Sequence, residues 1–364
     1  MRIAQIAPLY ESVPPAAYGG TERVVAYLAD ELVRQGHQVT LFASGDSSTR
    51  ATLRPVVPQS LRLAEGVVDQ IAPHIAMQAA VAREVSRFDV LHWHIDYLHF
   101  PMSSTLSVPR VTTLHGRLDI PELQAVYDAY PDARVVSISD SQRAPLPQAN
   151  WQATVQHGMP IDELTLDERG GDYFAFLGRI SPEKRVDRAI EIASRLGRPL
   201  KIAAKIDDID ASYFEHEIRH LLNGHDIEFV GEVAGAEKEA LLGGARALLF
   251  PIDWAEPFGL VMIEAMATGT PVIAFRNGSV PEVLEDGVTG LIVESVDEAV
   301  AADARIPLLD RRRIRAEFEA RFSARRMADD YLALYERLLG IGHEPAPRAR
   351  PTRSTAEPAL TGSA

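Results

Sequence analysis

The sequence of 364 residues contains no cysteine, and basic residues are in deficit. A disulfide framework, a thiolate metal site and a cysteine nucleophile are therefore excluded. Lysine and arginine number 37 against 51 aspartate and glutamate residues, which gives a formal net charge of −14. This charge opposes broad binding to nucleic acid or to an anionic membrane surface, so we expect no nucleic-acid partner.

Long hydrophobic runs are also missing. No window approaches the ~18 apolar residues that a membrane span needs. Residues 1–8 carry too short an apolar run, and no cleavage pattern, for a secretory signal. With 46% hydrophobic and 24% charged residues, the composition is typical of a globular enzyme in the cytoplasm, and the length predicts two domains with a cleft between them.

Short apolar runs alternate with amphipathic stretches along most of the chain, a pattern typical of α/β folds built from βαβ units. The predicted helices of the first lobe include residues 21–34 and 75–87, and its predicted strands are residues 3–8, 39–43, 90–94, 110–114 and 135–138. The predicted strands of the second lobe are residues 173–177, 200–204, 227–230, 247–250, 271–275 and 290–293. Two α/β lobes are expected.

The predicted domain boundaries follow changes in composition. The first lobe covers residues 1–162 and the second covers 163–321, which begins with a polar, glycine-containing linker. Residues 322–340 form a last amphipathic helix. Residues 343–364 are rich in Pro, Ala, Arg, Ser and Thr without periodicity, which predicts a disordered tail.

The stretch of residues 250–271 is the most informative in the sequence. It follows a strand, and a helix is predicted to begin near Phe258 and to end at Gly269. The backbone N–H groups of Phe258, Gly259 and Leu260 would point out of that helix start, and Gly259 lets a ligand come close. Such a start is an anion site suited to a diphosphate.

Two glutamates flank this helix start. Glu264 lies in an apolar run, so its carboxylate is expected to be buried and to need a donor partner, which a pair of ribose hydroxyls would supply. Glu256 lies at the carboxyl end of a strand, where α/β proteins bind ligands. Taken singly, the helix dipole explains Glu256 and an arginine in the core could pair with Glu264. Neither explanation covers both residues together with the exposed helix start.

Basic residues and glycines mark two other strand ends. Arg179 and Lys184 follow the strand at 173–177 and suit a departing diphosphate, although solvated charges at a helix start are an equally good structural explanation. Gly19 and Gly20, between the first strand and first helix, permit close approach of a phosphate or sugar.

Histidines gather at strand ends of the first lobe. His92, His94 and Asp96 allow a metal site as a minority interpretation, in a hydrolase for example. His115 ends another strand and is predicted to face the same side. Hydrogen-bonded structural histidines are the alternative for both groups.

Together these residues resemble the retaining GT-B glycosyltransferases of family 4. The resemblance runs from residue 1 to about residue 339, and its most specific mark is the spacing of Glu256 and Glu264. Supporting segments are Gly19 with Gly20, residues 113–115, residues 178–184, and residues 279–287 followed by 289–291.

The resemblance implies two Rossmann-like domains facing each other across a cleft, with the terminal helix crossing back to the first. It implies that Glu264 holds the ribose hydroxyls and that Glu256 contacts the donor sugar. Arg179 and Lys184 would neutralise the departing diphosphate, and His115 would lie near donor sugar and acceptor. Family members transfer a hexose with retention and without a metal or other cofactor, from a nucleotide-diphosphate sugar to a glycan, lipid or small molecule.

The sequence also departs from the family pattern. Where many relatives carry Asn-Gly at the exit from the first lobe, this chain has His157-Gly158. The helix at 21–34 is mixed in charge, unlike the basic helix by which some relatives dock on membranes, so docking is not predicted. Three alternatives stay open: a nucleotide-sugar epimerase or hydrolase, a non-catalytic nucleotide-sugar-binding protein, and the metal hydrolase at His92–Asp96.

Overall fold

The computed structural model describes residues 1–16 and 19–341. Within them the chain forms two parallel sheets, one of seven strands and one of six. Helices lie in most of the connections between successive strands, the usual arrangement for parallel pairing. The predicted α/β class with two lobes is therefore confirmed, and the predicted tail at 343–364 lies outside the described residues.

The first sheet has the strand order β3-β2-β1-β4-β5-β6-β7. Its central strands are buried except at Arg2 and are mostly apolar, as expected for strands covered on both faces. The strands are β1 (Arg2–Ile6), β2 (Gln38–Ser44), β3 (Thr52–Val57), β4 (Val90–Trp93), β5 (Arg110–Thr113), β6 (Arg134–Ser137) and β7 (Asn150–Thr154).

The second sheet has the order β10-β9-β8-β11-β12-β13. Every residue of its two strands β11 and β12 is buried. The strands are β8 (Phe174–Arg179), β9 (Leu200–Lys205), β10 (Ile227–Gly231), β11 (Ala247–Phe250), β12 (Val272–Phe275) and β13 (Gly290–Val293).

Twelve α-helical segments occur in the described part of the chain, several with short 3-10 turns at their ends. They are α1 (Gly20–Arg34), α2 (Ile71–Glu84), α3 (Phe100–Ser103), α4 (Pro121–Ala129), α5 (Val186–Leu196), α6 (Ala211–Tyr213), α7 (Gly235–Gly243), α8 (Leu260–Ala267), α9 (Val280–Val283), α10 (Val296–Ala302), α11 (Arg311–Arg321) and α12 (Ala324–Leu339).

The last helix, α12, joins the two lobes. It packs against α1, and its Tyr335 hydroxyl accepts a hydrogen bond from Gln5 of β1 at 3.2 Å. At its start, Ala324 N–H donates to the carbonyl of Met159, and Met159 N–H donates to the carbonyl of Phe322. The chain therefore leaves the first lobe next to the start of α12, the helix that returns to that lobe.

Three details differ from the sequence prediction. The edge strands β3 and β7 were not predicted, because both are only half-buried and lack a clear apolar pattern. Helix α8 begins at Leu260, two residues later than predicted, since Gly259 caps it in the left-handed conformation with φ of 78°. Phe258 and Gly259 therefore lie in the loop before the helix.

In the described part of the chain, no helix is long and apolar enough to cross a membrane.

Strand order places the functional residues. In each sheet the order reverses direction at one point, between β1 and β4 in the first and between β8 and β11 in the second. Loops at the carboxyl ends of strands diverge there and leave a crevice for ligands. Gly19 follows β1 and His94 follows β4, while Arg179 ends β8 and Glu256 follows β11. Both switch points contribute to one cleft.

Candidate active site

The cleft between the lobes contains a cavity of about 420 Å³, the size of a typical small-molecule site. All ten residues predicted to act on the donor line it. The first lobe contributes Gly19, Gly20 and His115, and the second lobe contributes Arg179, Lys184, Glu256, Phe258, Gly259, Leu260 and Glu264. The structure thus brings together residues that are up to 245 positions apart, from Gly19 to Glu264.

Lys184 and Glu256 form an ion pair in the wall of the second lobe. Their side chains are only 17% and 11% exposed, so water screens the pair weakly. Trp254 donates its indole N–H to the same Glu256 oxygen at 3.0 Å, and its ring lies 4.9 Å from the Lys184 ammonium. The three side chains hold each other in place at the edge of the cavity.

Arg179 is surrounded by carboxylates. Its guanidinium donates to Glu183 at 2.6 Å and lies 3.4 Å from Asp210 and 3.6 Å from Asp207. The side chain is about one-third exposed, so it is neither buried in the core nor simply solvated. A diphosphate that reached Arg179 would have to compete with these carboxylates for its donors.

Glu264 is buried, as predicted, but its partner is a protein side chain. Lys238 of α7 donates its ammonium to Glu264 Oε1 at 2.6 Å, and the two side chains are only 6% and 10% exposed. From the sequence, ribose hydroxyls were expected to donate the hydrogen bonds that the Glu264 carboxylate needs. Since Glu264 still lines the cavity, ribose would join an existing ion pair rather than satisfy an isolated carboxylate.

Two glycines allow the loops around Glu256 to pack closely. A Cβ on Gly259 would lie 2.8 Å from the Met262 side chain, and a Cβ on Gly278 would collide with the Glu256 backbone. Both glycines adopt positive φ values, which side chains rarely tolerate. The backbone conformation at these two positions of the cavity wall therefore requires glycine.

A chain of buried, neutral hydrogen-bonding groups connects the first-lobe strands near His115 with α12. His92 Nδ1 bonds the Tyr335 hydroxyl and Nε2 bonds Thr113 Oγ1, each at 2.7 Å. Thr113 Oγ1 in turn bonds the Tyr331 hydroxyl of α12 at 2.8 Å. Burial holds the pKa of His92 well below its usual value, so the ring is neutral.

This network fixes the tautomer of His115. The Gln5 amide nitrogen donates to Tyr335, so its oxygen accepts from His94 Nε2 at 2.7 Å. A neutral His94 then carries a lone pair on Nδ1, which accepts from His115 Nε2 at 2.9 Å. His115 therefore keeps its own lone pair on Nδ1, a buried atom without a partner in the described residues. Burial lowers the pKa of His115 to about 3, so the ring is neutral.

The alternative metal site at His92, His94 and Asp96 is contradicted by these contacts. Both ring nitrogens of His92 and of His94 make hydrogen bonds to protein groups. Asp96 is exposed in the turn that follows β4. Across the described ranges, no group of three or more histidine or acidic side chains could hold a metal ion.

Sequence reasoning missed several residues of the site. Lys238 lines the cavity, and Trp254 donates a hydrogen bond to Glu256. His157 lines the cavity with only 4% of its surface exposed. Nothing in the local sequence marks Lys238, because its neighbours are ordinary helix formers. His157 carried a signal, since it replaces the asparagine that the family pattern favours.

Comparisons with known proteins agree with this geometry. The family described as Glycosyl transferases group 1 matches residues 165–325, and Glycosyltransferase Family 4 matches residues 18–150. The chain is 29% identical to a phosphatidyl-myo-inositol mannosyltransferase of Mycobacterium leprae, over 85% of this chain and 87% of the relative.

Solved structures share the fold. AviGT4, a glycosyltransferase involved in avilamycin A biosynthesis, superposes with a TM-score of 0.72 at 26% identity, covering 93% of this chain and 98% of its own. The Anabaena protein HepE, solved in complex with UDP-glucose, gives 0.69 at 18% identity, covering 93% and 100%. The chain belongs to glycosyltransferase family 4 and has the GT-B fold.

Proposed function

We propose that the protein transfers a glucose- or mannose-type hexose from a nucleotide-diphosphate sugar to an acceptor, with retention of anomeric configuration. The observation that carries this proposal is the convergence of Arg179, Lys184, Glu256 and Glu264 on one cleft, opposite His115. Four charged groups from two segments of the second lobe face a cavity of ligand size, and an ordinary solvated surface would scatter them.

The donor has one orientation that satisfies these groups. Its diphosphate lies against Lys184, Arg179 and the start of α8, where cations and a helix dipole favour anions. Its ribose lies at Glu264, and its hexose lies between Glu256 and His115. UDP-glucose, which is bound in the structure of the Anabaena protein, has the matching order of ribose, diphosphate and hexose.

The reaction breaks the bond between the anomeric carbon and the diphosphate oxygen and forms a bond from that carbon to an acceptor hydroxyl oxygen. In the front-face route that we favour, the hydroxyl proton passes to the departing phosphate oxygen. Lys184 and Arg179 neutralise the charge that develops on the diphosphate, so the chemistry requires no divalent ion.

The test incubates the protein with radiolabelled UDP-glucose or GDP-mannose and a panel of polyol, sugar and lipid acceptors, with and without EDTA. We expect label in a product whose new glycosidic bond has the anomeric configuration of the donor by NMR, at equal rates with EDTA. An inverted product would contradict retention, and loss of rate with EDTA would contradict metal independence.

The two remaining alternatives predict different products. A hydrolase or epimerase would release free sugar or an epimer at full rate without acceptor, and a non-catalytic protein would bind the donor without turnover. We expect acceptor to raise donor consumption at least about tenfold, because acceptor binding completes the cleft. Equal consumption with and without every acceptor would favour the hydrolase.

A further inference from the structure

His157 is a buried cavity residue that the mechanism above does not use. It lies in the segment that leaves the first lobe after β7, and only 4% of its surface is exposed. Its ring lines the cavity, and its Nδ1 atom is buried without a hydrogen-bond partner among the described residues. Buried polar atoms are ordinarily paired, so an orphaned ring nitrogen at a cavity wall indicates a partner that arrives with a ligand.

The backbone of His157 is held rigidly by the terminal helix. Arg326 of α12 donates to the carbonyl of His157 at 2.9 Å and to the carbonyl of Gln156 at 2.7 Å. Gly158 N–H bonds the Met327 sulfur at 3.3 Å, and a side chain on Gly158 would collide with Ser323. Contacts with α12 and with the residue before it therefore fix the backbone of residues 156–158.

The ring of His157 is fixed as well, between the two lobes. It stacks on His115 with ring centroids 5.2 Å apart, and it meets the Phe258 ring edge-on at 4.9 Å. Phe258 lies in the loop that precedes α8, two residues after Glu256. His157 therefore stands where the first-lobe histidines meet the donor segment of the second lobe.

We infer that His157 is a substrate-contacting residue whose imidazole ring forms a hydrogen bond with a hydroxyl group of the donor hexose. Its place beside Phe258 and His115 corresponds to the hexose end of the donor, away from Lys184 and from the ribose carboxylate. A neutral imidazole accepts or donates one such bond without adding charge near the anomeric carbon. This inference rests on the proposed function.

The experiment compares nucleotide with nucleotide sugar. Titration calorimetry measures the dissociation constants of UDP, UDP-glucose, GDP and GDP-mannose for the wild-type protein, H157F and the control variant H99F. H157F keeps the ring and its stacking and removes the nitrogen atoms. His99 is another buried first-lobe histidine, bonded to Ser103 and Thr112 and absent from the cavity lining, so H99F loses hydrogen bonds but should leave sugar recognition unchanged.

We expect H157F to bind the nucleoside diphosphate like the wild type and to bind the nucleotide sugar about tenfold more weakly, the effect of one lost hydrogen bond. H99F should keep the wild-type ratio of the two constants. An unchanged ratio in H157F would overturn the inference and leave the proposed function standing. A wild-type protein that binds none of the four compounds would overturn both.

A second measurement needs no variant and so does not depend on H157F folding. In protein labelled with ¹⁵N-histidine, a ring-nitrogen resonance of His157 should shift when the nucleotide sugar is added and stay in place with the nucleoside diphosphate. Equal spectra with the two ligands would contradict a bond to the hexose.

Discussion

Two regions that face the cleft are built from different kinds of side chain. The second-lobe wall consists of ion pairs, Lys184 with Glu256 and Lys238 with Glu264, joined by Arg179 and its carboxylates. The region of the first lobe around His115 and His157 consists of buried neutral rings and hydroxyls, and burial depresses the pKa of both histidines. The rest of the first-lobe face is charged, since Glu11, Glu22, Arg23 and Arg62 also line the cavity. The names charged wall and neutral wall below refer to the second-lobe ion pairs and to the region around the two histidines.

This difference matches the two tasks of the site. A wall of fixed charges suits a diphosphate, whose charge grows as the sugar leaves. A neutral wall suits hydroxyl groups, because its rings and hydroxyls orient them. It attracts neither the leaving group nor the positive charge that develops on the anomeric carbon. The comparison predicts that substitutions in the two walls have distinct effects on stability, nucleotide affinity and pH dependence.

The largest effect is expected from Lys238→Met, which leaves the Glu264 carboxylate buried without its ammonium. Breaking a buried pair costs about 3–5 kcal/mol of unfolding free energy, measurable by urea denaturation. The double variant with Glu264→Gln should recover much of the stability and still bind nucleotide sugar weakly. If the single variant is as stable as the wild type, the pair contributes nothing to the wall.

Lys184→Ala should lower kcat/KM about 10²- to 10³-fold, because it removes a cation placed for the leaving diphosphate. Arg276→Ala is the matched control, since Arg276 pairs with Glu294 on the surface and both side chains are about half exposed. That control should keep wild-type activity. Equal activity in the two variants would remove Lys184 from the site.

The neutral wall predicts a pH effect on stability. A histidine whose pKa is depressed on folding contributes its full stability above the unfolded value of about 6.5 and loses it as the pH falls towards the folded value. For His115, whose pKa is about 3, the loss between pH 7 and pH 5 is about 2 kcal/mol. Urea denaturation at the two pH values measures it.

The matched variant His115→Phe tests the assignment of that loss. Phenylalanine binds no proton in either state, so the variant should lose less stability than the wild type between pH 7 and pH 5. If the free energy of unfolding falls equally with pH in the two proteins, His115 is not the group that resists protonation.

The smallest effect is expected at the far end of the neutral network. Tyr335→Phe removes the hydroxyl shared by Gln5 and His92, at a cost of about 1 kcal/mol in unfolding free energy. Nucleotide affinity should not change, because the charged wall is untouched. A tenfold loss of UDP affinity would contradict the separation of the two walls.

Much of the fold was predictable from the sequence, because buried central strands carry continuous apolar runs. The strands β11 and β13 agree with the prediction to the residue. The edge strands β3 and β7 escaped, since half-exposed strands give a weak pattern. The late start of α8 follows from the left-handed Gly259, a conformation that composition alone does not specify.

Site residues that lie close together in the sequence were predictable. Contacts between segments that are far apart in the sequence were not. Glu256 and Glu264 flank one helix start, and their spacing is visible in the chain. The partner of Glu264 lies 26 residues away on another helix, and the link from His92 to Tyr335 spans 243 residues. Only the folded chain shows that Glu264 already has a cationic partner and that His115 has a fixed tautomer.

The most direct test of the account is a calorimetric titration of the wild-type protein with UDP and uridine, and with GDP and guanosine. If the charged wall takes the diphosphate, one of the diphosphates should bind at least about 100 times more tightly than its nucleoside, as two or more charge-assisted contacts predict. Equal affinity of nucleoside and diphosphate in both pairs would contradict the assignment of the charged wall to the leaving group.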